Sequence, residues 1–308
     1  MNIFRYYNQN RKNIWLVIIA IIILIIAIQV INNIIENQNV QTSNNTINEK
    51  EYENNLNINI LISNESVEED EKLIIDQFIR YCNAGKIQDA YNLLTQNCKN
   101  ELFPTIEDFK KNYYNIYFLN TKLYSKEHFV ANTYKIKLYD DILSTGTVNT
   151  NTFEDYFTLE KQQDDTIKLN ISNYIGNKKI NIKNTDENLQ IKIVKKDIYK
   201  EYEKYELEVT NLTYNTILID SRENTKTMYL VGDNNVRYYS LSHEILKENL
   251  IIKPKATVKI LVKYNKEYNS NRAVNQVVFS DIIPDYESYQ NTQKKSEYKD
   301  RTTLKVYL

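Results

Sequence analysis

The chain has 308 residues, 26% of them charged, with a formal net charge of −1. That balance argues against nucleic acid as the main partner, because neutralising phosphates needs a basic excess. Only four glycines are present, which leaves little room for a phosphate-cradling loop. Tyr reaches 26 residues while Pro is 3, and with abundant Asn, Ile and Lys this reads as an AT-rich coding sequence of bacterial type.

Residues 1–13 form a short tail containing Arg5, Arg11 and Lys12. Residues 14–31, IWLVIIAIIILIIAIQVI, carry no charge. At 1.5 Å per residue they span about 27 Å, close to the hydrocarbon thickness of a bilayer. The sequence therefore predicts a single transmembrane helix over 14–35, allowing for some tilt. The basic tail before it, and Glu36 as the first charge after it, orient the N-terminus to the cytoplasm. The expected localisation is the plasma membrane, single-pass, with the C-terminal domains extracellular. No small-residue cleavage pattern follows the apolar run, so an anchor is preferred over a signal peptide. Residues 36–65 are Asn-rich and read as a stalk, with a short strand over 56–62.

An α+β block follows over 66–176, its helices first. Ser66 and Glu69 match a capping box, and Leu73, Ile74, Phe78, Ile79 and Cys82 share a helix face. Gly85 is a natural stop. Ile87, Ala90, Tyr91 and Leu94 indicate a second helix, and Pro104 and Thr105 open a third that carries Phe109 and Tyr113. The period then changes to two. Phe129, Ala131, Thr133, Ile136 and Leu138 read as one strand region with a phase slip near Tyr134, interpreted as a bulge. Phe153, Asp155, Phe157 and Leu159 alternate next, then Ile167, Leu169 and Ile171 after a turn at Asp164-Asp165. Helices followed by strands imply an α+β fold.

The stretch from Phe78 through Cys82, Gly85, Ala90 and Tyr91 to Leu94 resembles the opening of extracytoplasmic members of the nuclear transport factor 2-like superfamily. The stretch Leu102-Phe103-Pro104-Thr105-Ile106-Glu107-Asp108-Phe109 resembles the same members. The resemblance covers about a third of the chain and implies a curved sheet wrapped around a helix, an α+β cone. It speaks to fold more than to function. Conjugation-channel scaffolds resemble this anchor-plus-cone layout, although they are expected to carry further cones.

Residues 187–285 read as an all-β sandwich. Leu189, Ile191 and Ile193 alternate, as do Tyr205, Leu207 and Val209. Residues 216–219 form a short strand, 228–239 a hairpin around Gly232, 258–264 a strand after Pro254, and 273–282 another. The segment 250–260 resembles the late hairpin of bacterial surface immunoglobulin-like domains, with Pro254-Lys255 where Pro-Gly is usual. Residues 286–308 are a polar tail in which 302–308 can add a strand.

No catalytic, cofactor-binding or metal-binding residue follows from the sequence. Cys82 and Cys98 lack zinc spacing and read as buried free thiols rather than a disulfide. His128 and His243 read as structural. Asp140-Asp141 and Asp164-Asp165 read as turns rather than Ca²⁺ ligands. Ser296 and Lys299 match S-x-x-K without the companion motifs of a transpeptidase. Tyr199, Tyr202 and Tyr205 read as strand-face residues. The expected function is a non-enzymatic cell-envelope scaffold or interaction protein tethered outside the membrane, with no cofactor, and with the membrane and other envelope proteins as partners. The alternative is a small-ligand sensor using the cone pocket.

Overall fold

In the computed structural model the described residues are 67–141, 152–224, 226–268 and 272–308, the side chains of 67–72 and 242 excepted. All belong to one compact unit, 62–308. The expected membrane helix at 14–35, the tail at 1–13, the stalk at 36–65 and the Ser66 cap lie outside the described residues.

Helix α1 (Val67–Asn83) forms because Ile75, Phe78, Ile79 and Cys82 recur at helical spacing, and all four are buried. It ends in a Schellman motif. Gly85 sits at φ +68°, Lys86 N donates to Tyr81 O at 2.9 Å, and Gly85 N donates to Cys82 O at 3.1 Å. Then come α2 (Ile87–Asn92), α3 (Gln96–Leu102) and α4 (Ile106–Phe109). Thr105 and Asp108 close a full capping box on α4. A π-helical turn at Lys110–Tyr114 leads into α5 (Asn115–Tyr117).

These helices pack on an antiparallel sheet of order β1-β2-β3-β4: Lys122–Val130, Thr133–Asp140, Thr152–Lys161 and Ile167–Asn170. Ile136, Leu138, Phe157, Leu159 and Leu169 face the buried side of α1. The interior is filled by rings. Phe78 lies 6.2 Å from Phe109, 6.2 Å from Tyr113, 6.5 Å from Phe118 and 5.4 Å from Phe157, measured between centroids.

Two more four-stranded sheets follow. One has order β12-β7-β6-β5, built from β5 (Tyr174–Thr185), β6 (Leu189–Tyr199), β7 (Glu203–Asn211) and β12 (Thr257–Tyr264). The other has order β10-β9-β13-β14, from β9 (Met228–Gly232), β10 (Arg237–Tyr239), β13 (Val274–Ile282) and β14 (Thr302–Tyr307). Short strands β8 (Ile217–Leu218) and β11 (Ile251–Ile252) pair with each other, and α6 (Tyr286–Asn291) precedes β14. Both large sheets feed one core, with Ile191, Leu207 and Val262 from one and Leu230, Phe279 and Val306 from the other. Strand β5 begins in the first core at Tyr174 and reaches the second at Ile180.

Three expectations are corrected. Fold class is the first: the described residues are mostly β-sheet, with fourteen strands and only one helix longer than seven residues. One long helix, α1, is followed by short ones and the π turn. Within 187–285, β6, β7 and β12 share one sheet and β9, β10 and β13 the other, as two layers around one core. Localisation is the second: among the described residues no helix is long and apolar enough to cross a membrane. The single-pass anchor, and the plasma-membrane placement built on it, are therefore not supported. The third is local. The phase slip near Tyr134 is no bulge within one strand. It is a reversal through Ala131, at φ +51°, which pairs β1 with β2.

Candidate functional site

Residues singled out from the sequence are spread apart. His128 is exposed and its Nε2 lies 2.6 Å from Ala131 O, at the β1–β2 reversal. His243 is exposed in a 3-10 turn. Asp140 pairs with Lys122 across β1 and β2. Asp164 accepts from Thr166 N at 3.1 Å and Oγ1 at 2.6 Å, and Asp165 pairs with Lys161 at 2.8 Å, which makes this pair a turn. Ser296 and Lys299 are exposed. Cys82 and Cys98 are free and buried. Burial raises both thiols, Cys98 to about 12, so neither is a poised nucleophile. Tyr199 stacks on Tyr202 at 4.4 Å, while Tyr205 lies in the second core. Among the described residues no group of His, Cys, Asp and Glu could hold a metal ion.

Two buried polar constellations hold structure together. Asp155, fully buried on β3, accepts from Tyr113 Oη at 2.8 Å, Ser172 N at 2.9 Å, Asn173 N at 2.7 Å and Tyr156 N at 2.7 Å. Ser172 and Asn173 have φ +61° and +60°, which turns their N–H groups toward one carboxylate. Burial outweighs these donors and raises the Asp155 carboxyl to about 6. The second constellation joins α3 to β6 and β7. Glu101 accepts from Tyr199 Oη at 2.6 Å and pairs with Lys204. Asp197 accepts from Lys195 at 3.0 Å and from Tyr174 Oη at 3.3 Å.

Surface chemistry concentrates on the outward face of the β10-β9-β13-β14 sheet. Alternation sends Leu230, Val277, Phe279 and Val306 into the core, so their neighbours point out. Register then aligns two rows across the sheet: Arg237, Val231, Gln276 and Tyr307 in one, Tyr239, Tyr229, Val278 and Lys305 in the other. A groove of about 380 Å³ runs here, with Tyr229, Arg237, Gln276 and Lys305 among its walls and Asn235 at its rim. The Arg237 guanidinium lies 4.7 Å from the Tyr229 ring centroid, and Lys226 Nζ lies 5.0 Å from that of Tyr239. Tyr307 is 60% exposed. No outward position on these four strands carries a carboxylate. Asp233, at the end of β9, is turned to Ala273 N and Asn275 Nδ2.

A second groove, about 250 Å³, lies between Tyr214, Pro254 and α6. Two of its lining side chains are already engaged, since Asp285 caps α6 by accepting from Ser288 N at 3.0 Å and Oγ at 2.7 Å. The sheet face is the better candidate, because its side chains stand on paired strands and Arg237 and Lys305 make no ion pair among the described residues. Sequence reasoning missed Tyr229, Arg237 and Lys305. Alternation marks their inward neighbours, and the outward set follows by complement. The order that assembles β10, β9, β13 and β14 is not written in any local pattern.

No known protein family, curated protein or solved structure matches this chain.

Proposed function

We propose that this chain is a non-enzymatic interaction protein that holds a partner on the outward face of the β10-β9-β13-β14 sheet. The observation that carries this reading is a rigid sheet face bearing Tyr229, Tyr239, Tyr307, Arg237 and Lys305 with no carboxylate among its outward positions. Tyr and Arg are the residue types that anchor interfaces, combining large rigid contact area with a polar tip. The filled interior of the first lobe supports a surface role over a small-ligand sensor, since Phe78 is enclosed by four aromatic neighbours. Membrane tethering forms no part of the proposal.

The test is a photo-crosslinking amino acid at Tyr307, activated in the producing cells. The expected result is a discrete slower-migrating adduct that disappears when Arg237→Glu is added. Recovery of uncrosslinked chain alone would overturn the reading.

A further inference from the structure

Lysines on most of the described sheet surface have acidic partners. On the outer face of β6, β7 and β12, Lys192 pairs with Glu208 at 3.0 Å, and Lys259 lies 3.7 Å from both Glu206 and Glu208. On the first sheet Lys135 pairs with Glu154 at 2.9 Å. Strand β5 departs from this pattern. Lys178, Lys179 and Lys183 are exposed and form no ion pair among the described residues. Register sets each directly opposite another lysine: Lys178 opposite Lys196, Lys179 opposite Lys195, and Lys183 opposite Lys192. Each opposing lysine is itself paired with an acid, Lys196 with Glu203, Lys195 with Asp197 and Lys192 with Glu208, all at 3.0 Å, so the positive surplus at this edge is that of Lys178, Lys179 and Lys183.

The β5 edge abuts the sheet that carries the groove. Asn184 Nδ2, next to Lys183, donates to Lys305 O at 2.7 Å and so brings the β5 edge against β14. Lys305 lines the groove, and Arg237 lines it from the opposite edge of the sheet. Neither makes an ion pair among the described residues. Three inter-strand spacings separate the backbones of these two residues by about 14 Å, and Lys179 and Lys183 flank the bulge in β5. Between the cations stand the Tyr229 ring and the Gln276 amide, with Asn235 at the rim.

We propose that this strip binds an anionic polysaccharide, a linear sugar chain bearing carboxylate or sulfate groups. Widely spaced cations fit a polymer with one charge every sugar or two. Tyrosine rings offer flat apolar surface to sugar faces, and side-chain amides offer both donors and acceptors to hydroxyls. The inference rests on the surface reading above and names the partner's chemistry.

The test is direct binding of the purified full chain, by isothermal titration at two salt concentrations. The probes are polygalacturonate (carboxylated), heparin (sulfated), neutral dextran, single-stranded oligo-dT and poly-glutamate. The expected result is binding to polygalacturonate or heparin, whichever carries the matching anion, and none to dextran. Arg237→Ala with Lys305→Ala should weaken that binding at least tenfold. Lys179→Ala with Lys183→Ala should weaken it several-fold and flatten its salt dependence. Tyr229→Ala should weaken it at constant charge, with circular dichroism verifying the fold of every variant. If Tyr229→Ala unfolds the chain, Tyr307→Ala, at an exposed position, carries the same arm. Equal affinity for oligo-dT or poly-glutamate would overturn the proposal, since charge alone would then explain binding. Failure to bind either acidic sugar would overturn it too. If the cellular Tyr307 adduct persisted after such a failure, the surface reading would stand and only the sugar assignment would fall.

Discussion

At the residue scale the most consequential side chain is Asp155. Its two oxygens receive four donors, two at each oxygen. Asp155→Asn turns an NH₂ group toward donors that need an acceptor, so it should cost about 2–4 kcal/mol of stability, read as a shifted urea midpoint. The wild type should also show a pH signature. Burial places the folded pKa at about 6, above the unfolded value of about 3.9. Between those values the folded chain binds more protons than the unfolded chain, so stability falls as pH rises from about 4 to about 6, by about 3 kcal/mol at most. Below the unfolded value the contribution is fully present. Unfolding free energies of wild type and Asp155→Asn should therefore converge across this window, and parallel profiles would contradict it. The inward placement of Asp155 is legible in the alternation of Phe153, Asp155, Phe157 and Leu159. Its donors are not, because they depend on Ser172 and Asn173 adopting positive φ, which neither residue type dictates.

At the element scale, the hairpin that walls the groove turns on Gly232. A Cβ there would meet Ala273 O at 3.0 Å and Tyr238 Cε2 at 3.1 Å. The backbone carbonyl cannot give way without moving β13, so Gly232→Ala should destabilise by about 1–3 kcal/mol. Because β9 and β10 carry Tyr229 and Arg237, the same substitution should weaken any binding at the groove more than an equally destabilising core change, such as Ile193→Val on the other sheet. Titration of both variants below their unfolding transitions checks this. Legibility at this scale follows burial. Strands whose inward face meets a core, such as β7 with Tyr205, Leu207 and Val209, announce themselves by period two. The edge strands β1 and β5 do not. Strand β1 has no fully buried residue, and from Asn177 to Thr185 β5 has none either. A strand that contributes backbone hydrogen bonds and little core leaves almost no hydropathy signal. The same polar character that hid β5 from the sequence supplies its unpaired lysines.

At the scale of the whole molecule, the question is what makes the two cores one body. Much of the polar part is the cluster at Glu101, Lys204, Asp197 and Tyr199. Side-chain exposures there are 17% for Glu101, 14% for Lys204 and 2% for Asp197, so solvent screens these charges little. Removing one partner strands the other in a poorly hydrated site. Lys204→Met leaves Glu101 with only the Tyr199 hydroxyl, and Glu101→Gln leaves Lys204 with Asp197 alone, 3.7 Å away. Each should cost about 2–4 kcal/mol. The double variant should cost less than the sum by about 1–3 kcal/mol, because the second change removes the charge that the first left stranded. The cluster also bridges α3 in the first core to β6 and β7 in the second, so its loss should act on cooperativity as well as on free energy. Wild type should unfold in one urea transition, seen alike by tyrosine fluorescence and far-UV circular dichroism. Lys204→Met should separate the two probes, with the helical signal lost first, since the first lobe owes part of its support to β5 and this joint. Two separated transitions in the wild type would mean that the cores are joined by chain connectivity and not by these charges.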